Sequence, residues 1–246
     1  MVFLERKSDS MGVTKGDIVY SPTIRITTKC TQSCSHCCFE CSPNRNDMMN
    51  IDVAKSISDF IKKNNIDVIN VMGGEFFCNS DWKDIIRILS DNVVVRLVTN
   101  SDWIVLKHEV IDFLLEYKNV YMALSKTKFH TNANVQNAID TLDKYGIAYI
   151  LDKHNINNNV VPVGRGINHF GFYHMLGAYC MNPKHCMSFL IDEVGDLYKC
   201  PFGLWKIGNV FDNNVLHDLE LFNDKFNSAH IMTCSQCVRI HKDIKW

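Results

Sequence analysis

The sequence predicts an α/β protein with a parallel sheet, followed by a small cysteine-rich region. Three observations carry that reading. Short β-branched runs alternate with amphipathic helical stripes from Thr23 to about Asn168. Strand–helix alternation with right-handed crossovers sets strands side by side in parallel, in a sheet that is open or closed into a barrel. After about Gly171 the alternation stops, and turns such as DEVGD and GNVFDNN take over.

The elements follow in order. TIRIT, IDVINVM, NVVVRLVT, NVYMALS, GIAYIL and NVVPVG read as strands. That makes six, fewer than the eight of a closed barrel. Val53, Ile57, Phe60 and Ile61 share one face of a first helix, which Asn50 is placed to cap. Trp82, Ile85, Ile86 and Leu89 form a second stripe, with Ser80 as its candidate cap. Val110, Ile111, Leu114 and Leu115 form a third. Val135, Ala138, Ile139 and Leu142 form a fourth, stopped at Gly146. DKHNINN, before the last strand, is too short for a crossover helix, so a loop is expected there. The expected division is 1–170 for the barrel, with a tail over about 1–19, and 171–246 for the cysteine-rich region.

Bulk composition narrows the function. The chain has 246 residues, a formal charge of -1 and 46% apolar residues, enough for one sizeable core. Near-neutral charge without a long basic block gives no reason to expect nucleic acid. No apolar run is long enough to span a bilayer, and the N-terminus lacks a signal-peptide core. A cytoplasmic location is therefore expected, where thiols stay reduced. Eleven cysteines is an odd number, and all but Cys78 cluster in two regions. In a reducing compartment such clusters read as metal or iron–sulfur ligands before disulfides.

The first cluster is CTQSCSHCCFEC, Cys30 to Cys41. The pattern C-x3-C-x2-C fits it twice, as Cys30, Cys34 and Cys37 or as Cys34, Cys38 and Cys41. A closed four-iron cluster takes four thiolates, so three leave one iron open to a ligand. A zinc knuckle is the competing reading.

This segment resembles the radical S-adenosylmethionine (SAM) superfamily, whose mark is C-x3-C-x2-C after the first strand of a partial barrel. The resemblance implies a partial (β/α)6 TIM-like barrel. It also implies a 4Fe-4S cluster whose open iron chelates SAM and whose reduced form cleaves it to a 5'-deoxyadenosyl radical. Cys30 directly follows the first strand, at the mouth of the barrel. Family members usually carry an aromatic residue or His before the third cysteine, against the adenine; His36 fills that slot in the first register and Glu40 in the second. An acid beside an anionic cluster is unfavourable, which favours Cys30, Cys34 and Cys37. Cys38 and Cys41 are then spare thiols, inert or facing the substrate as hydrogen-atom donors.

Other motifs fall in the family's order. MGGE places Gly73, Gly74 and Glu75 after the second strand, where the resemblance implies a carboxylate accepting from the SAM ammonium. Asn100 and Ser125 stand at the ends of the third and fourth strands, with Ser101 and Thr127 where relatives have Gly and Asp. His130 is read as starting a helix. Arg165, in VVPVGRG, is placed to pair with the SAM carboxylate or an anionic substrate group.

The C-terminal cysteines resemble the Twitch module, a shortened SPASM region holding a second, auxiliary 4Fe-4S cluster. Cys200, Cys234 and Cys237 fit it, with Cys186 as fourth ligand and Cys180 as its alternative; zinc competes here too. The resemblance as a whole implies a radical SAM oxidoreductase or transforming enzyme, reduced by a flavodoxin or ferredoxin. It would abstract hydrogen to oxidise or epimerise a small molecule, or else modify a ribosomally made peptide. Only 29 residues precede Cys30, too few for a leader-binding domain, and this was expected to disfavour the peptide. A non-catalytic metal-binding regulator is the remaining alternative.

Overall fold

The computed structural model describes residues 22–127, 129–130, 134–152, 164–169 and 189–228. Cys180, Cys186, Cys234 and Cys237 lie outside them, as do residues 159–163 of the expected strand NVVPVG, whose last residue, Gly164, opens a 3-10 turn. Five strands are parallel neighbours: β1 (Thr23–Arg25), β2 (Val68–Met72), β3 (Val94–Thr99), β4 (Val120–Ser125) and β5 (Tyr149–Asp152). The helices between them are α1 (Ile51–Lys63), α2 (Trp82–Leu89), α3 (Lys107–Glu116) and α4 (Asn134–Lys144).

Alternation along each strand separates two faces. Ile24, Ile69, Val71, Val95, Leu97, Met122 and Leu124 are buried in the core that the helix stripes complete. Each such aliphatic side chain contributes about 2 kcal/mol on burial. The opposite face carries rows set by the register. Thr23, Asn70, Arg96 and Tyr121 pair across one row. Two residues further along, Arg25 pairs with Met72, and Val98 with Ala123. The first row is thus polar, and the second sets Arg25, held by Glu193 at 2.7 Å, on the same face as the apolar Met72, Val98 and Ala123.

Caps fix where the helices begin and stop. Asn50 Oδ1 accepts the Val53 N–H at 2.9 Å, as expected, which is worth about 1 kcal/mol. Gly146, at φ +65°, ends α4 in the left-handed conformation its sequence position implied. Ser80 does not cap α2. The N-cap is Asp81, and the turn is held instead by Asn79, whose Oδ1 accepts the Asp81 N–H at 2.9 Å. The Asn79 amide also donates to the carbonyls of Ile26 and Met49, at 3.0 and 2.9 Å. One buried amide thereby ties β1, α1 and α2 together, and no local pattern marks it.

The sheet continues past β1. Strands β6 (Leu190–Ile191), β7 (Asp196–Tyr198) and β8 (Lys206–Asn209) extend it to the order β5-β4-β3-β2-β1-β6-β7-β8. β6 lies parallel to β1, and β7 and β8 follow antiparallel. Helix α5 (Val215–Ser228) covers β8. The barrel and the cysteine-rich region were expected as separate parts; their described strands share one sheet. The free edge of β1 needs hydrogen-bond partners, and β6 supplies them. No described helix is long and apolar enough to cross a membrane.

Candidate active site at the strand ends

The loop after β1 is folded back on the sheet by backbone and side-chain bonds. Cys30 N donates to Ser42 O at 3.1 Å, and Thr28 Oγ1 donates to Asp47 Oδ2 at 2.6 Å. Gly74 N donates to Thr27 O at 2.8 Å, and Glu75 N to Lys29 O at 3.0 Å. The two glycines are required by this closeness. A Cβ on Gly73 would sit 2.8 Å from the Thr27 methyl; one on Gly74 would meet the Lys29 carbonyl and come within 2.6 Å of Cys30 Cβ.

Cys30, Cys34 and Cys37 line one cavity of about 290 Å³, together with Gly73, Gly74, Asn100 and Ser125. The predicted His36, Cys38 and Cys41 line it too. Met72, Val98, Phe39 and Phe202 give it apolar walls. A larger groove of about 970 Å³ opens beside Val94, at the start of β3. Its Lys62 and Asp91 pair with each other at 2.6 Å, and it holds no thiol or imidazole, so we place the chemistry in the smaller cavity.

The Glu75 side chain is fully buried and does not line the cavity; Oε1 accepts the Thr99 hydroxyl at 2.7 Å and Oε2 accepts the Asn100 N–H at 2.8 Å. Burial pushes its carboxyl up to about 8, against those two hydrogen bonds. The carboxylate thereby braces the turn after β2 against the end of β3, which offers it two donors at close range. Asn100 passes the brace on. Its amide donates to Thr31 Oγ1 at 3.2 Å and points to Cys30 Sγ at 3.7 Å, while its Oδ1 accepts the Asp102 N–H at 2.8 Å.

Asp102 was missed in the sequence, where a lone acid after TNS carries no signal. Its carboxylate accepts from Thr31 Oγ1, from Gln32 Nε2 at 3.0 Å and from Asn134 Nδ2 at 2.8 Å. Gln32 was missed as well; its Oε1 accepts from the Cys34 thiol at 3.3 Å.

His36 stacks on Phe129 with centroids 5.0 Å apart and meets the His130 ring edge-on at 5.1 Å. His130 is not itself helical, and the described residues of α4 begin at Asn134. It lines the cavity, with Nδ1 3.0 Å from Thr127 Oγ1, and burial lowers its pKa. Arg165 lies against the cysteine loop. It begins a turn of 3-10 helix, Gly164–His169, packed on the cysteine loop. Its Nε donates to Cys34 O at 2.9 Å, its Nη2 to Cys41 O at 2.6 Å, and its backbone N–H to Cys37 O at 3.0 Å.

The thiols are unequal. Burial pushes Cys30 up to about 12 and Cys34 up to about 11. Cys37 falls to about 6, chiefly through its side-chain interaction with Cys41, and Cys41 rises through the same interaction, so the thiolate is favoured on Cys37. Cys38 is raised by burial, with Cys37 and Cys200 among its electrostatic neighbours. Cys78, in a short 3-10 turn (Phe76–Cys78), rises to about 11 through burial.

Three soft sulfur donors facing one cavity, beside glycines that hold the backbone close, fit an iron–sulfur cluster with an exposed iron. The hydroxyl and amide groups at the neighbouring strand ends fit a small polar cofactor. Fold and site together define a partial-barrel α/β protein built around a cluster and a nucleoside-like ligand. Residues 24–169 match the Radical SAM superfamily, and the chain belongs to it. Its cofactors are accordingly a 4Fe-4S cluster and SAM.

Among relatives, the chain is 24% identical over 139 residues to YydG of Bacillus subtilis (strain 168), whose name associates it with peptide biosynthesis. That match spans 52% of this chain and 44% of YydG, less than half the relative's length. Among solved structures, BtrN in complex with AdoMet and 2-DOIA superposes with a TM-score of 0.63 at 15% identity, covering 87% of this chain and 89% of BtrN. The structure of anSMEcpe with AdoMet and the Cp18Cys peptide gives 0.57 at 16% identity, covering 87% and 83%. Streptococcus suis SuiB bound to the precursor peptide SuiA gives 0.53 at 12% identity, covering 87% and 66%. At these identities the likeness is one of fold.

Proposed function

We propose that this chain is a radical SAM enzyme that takes a hydrogen atom from an amino-acid residue of a peptide, the substrate radical then giving one electron to a second cluster in a net oxidation or taking a hydrogen atom from a cysteine thiol in an epimerisation. The carrying observation is the convergence of Cys30, Cys34 and Cys37 with Gly73, Gly74, Asn100 and Ser125 on one cavity at the strand ends. In this reading Cys30, Cys34 and Cys37 hold the cluster. Such a cluster, when reduced, would supply the one electron that cleaves SAM to methionine and a 5'-deoxyadenosyl radical. The chain's own share is positional. The glycines bring backbone polar groups to the SAM amino acid, Ser125 offers a hydroxyl, and His36 lies flat against Phe129 where an adenine could join the stack. Met72, Val98, Phe39 and Phe202 keep water from the radical.

The likeness to YydG supports the peptide over the small molecule, reversing the order the sequence suggested. The fit to BtrN along most of both chains supports a small molecule as the second reading. A second cluster on Cys200, Cys234, Cys237 and Cys186 or Cys180 belongs to the proposal, as do a flavodoxin or ferredoxin reductant and a cytoplasmic location. Cys200 supports it by its place in the turn between β7 and β8, near the first cysteine loop.

Anaerobically reconstituted protein given SAM and dithionite should release 5'-deoxyadenosine, and Cys30→Ala protein should not. Adding a peptide substrate should raise the yield. Colourless, zinc-loaded protein without release would overturn the assignment in favour of a metal-binding regulator.

A further inference from the structure

The residues that hold the cysteine loop in shape come from two sides. One is the Glu75–Asn100–Asp102 chain described above. The other is the Gly164–Arg165 pair, whose sequence position suggested a ligand for a carboxylate. We propose that Arg165 is a positioning residue: it clamps the cysteine loop through three carbonyls and places its positive charge beside the cluster thiolates.

The geometry is specific. The three acceptors belong to Cys34, Cys37 and Cys41, so one residue grips the loop across the span that contains two of the three proposed ligands. Two bonds come from the planar guanidinium fork, which holds its donors at fixed angles; a lysine cannot reproduce that pair. The third comes from the backbone, which fixes the chain as well as the side chain. Gly164 makes the approach possible. It sits at φ +56°, and a Cβ there would overlap the Cys38 carbonyl and lie 2.8 Å from Cys37 O. Loop and turn therefore meet backbone to backbone, with no room for a side chain.

The charge has its own consequence. A fixed cation stabilises the reduced, more negative cluster over the oxidised one. The same side chain cannot give Nε and Nη2 to the loop and also embrace a SAM carboxylate with that edge of the fork.

This inference rests on Cys30, Cys34 and Cys37 being the cluster ligands. The experiment compares wild-type, Arg165→Gln and Arg165→Lys proteins, each reconstituted anaerobically. The midpoint potential is read by EPR without SAM, SAM affinity by equilibrium dialysis on the oxidised protein, and amide exchange over 30–41 on metal-free protein. Arg165→Gln should shift the midpoint to more negative values by the equivalent of about tenfold in the reduced fraction, ~59 mV for one electron. Arg165→Lys should restore most of that shift. Loop exchange should quicken in both variants, and the SAM dissociation constant should change by less than about twofold. An unchanged potential and unchanged exchange with SAM binding weakened tenfold or more would overturn the inference and make Arg165 a SAM ligand. If Arg165→Gln fails to fold by circular dichroism, Arg165→Lys decides: quickened exchange at an unchanged potential supports the clamp, and wild-type exchange overturns it. Wild-type protein that takes up no cluster overturns the functional reading itself, and this inference with it.

Discussion

The carboxylate of Glu75 accepts the backbone N–H of Asn100 at 2.8 Å, and the side-chain amide of Asn100 points to Cys30 Sγ at 3.7 Å. A buried acid in the turn after β2 is thereby coupled, through one residue at the end of β3, to the first proposed cluster ligand. The relationship makes Glu75 a structural group whose protonation state matters to the fold.

Its titration gives the first prediction. The folded carboxyl is raised from its ordinary 4.5 to about 8, chiefly by burial. The metal-free fold therefore holds a proton that the unfolded chain releases. The stability this adds is whole below about pH 4.5 and is lost as pH rises through about 8. Urea unfolding of metal-free protein should show wild type losing a few kcal/mol relative to Glu75→Gln between pH 5 and pH 9. Parallel pH profiles for the two proteins would refute the account of Glu75.

Ser101 gives the second. It is fully buried at φ +75°, and its hydroxyl has no hydrogen-bond partner among the described residues. Left-handed backbone costs a residue with a Cβ about 1 kcal/mol, and a buried unpaired hydroxyl costs a similar amount. Ser101→Gly should stabilise the protein by about 1–2 kcal/mol, raising Tm by roughly 2–6 °C. Unchanged or lowered Tm would show that the hydroxyl or the Cβ does something the structure does not reveal.

Gly74→Ala should act in the other direction. The new methyl would meet the Lys29 carbonyl and Cys30 Cβ, both fixed parts of the loop. We expect a loss of about 2 kcal/mol or more and a fall in iron bound at the first site. Normal iron content measured by inductively coupled plasma spectrometry would show that the loop can yield.

The thiols give a fourth. Cys37 is held near 6 by the Cys41 thiol, so metal-free protein at pH 7 should be alkylated by iodoacetamide first at Cys37. Cys41→Ala removes that partner and should slow labelling at Cys37 by up to about tenfold at the same pH. Peptide mapping by mass spectrometry reads both rates; equal labelling of Cys30, Cys34 and Cys37 would contradict the pairing.

What the sequence revealed was what local chemistry encodes. Asn50 and Gly146 were legible as helix ends because caps depend on nearest neighbours. The loop motif and the glycines of MGGE were legible because close backbone approach admits few residues. Side-chain direction was not. Nothing in MGGE says that Glu75 turns to Thr99 and Asn100, and nothing in PVGR says that Arg165 faces the carbonyls of Cys34 and Cys41, 131 and 124 residues away in the chain. Asp102 joins Thr31, Gln32 and Asn134 only once the strands are side by side. The extension of the sheet from β1 to β6 hid for a further reason: a two-residue strand leaves no periodicity to read.

The central claim is that the cluster on Cys30, Cys34 and Cys37 keeps one iron open for SAM. Electron–nuclear double resonance on the dithionite-reduced protein, with SAM labelled by 15N at its amino group and 17O at its carboxylate, tests it most directly. The account predicts couplings from both labels in the wild type and none in Cys30→Ala. A reduced cluster that shows neither coupling with SAM in excess would contradict it.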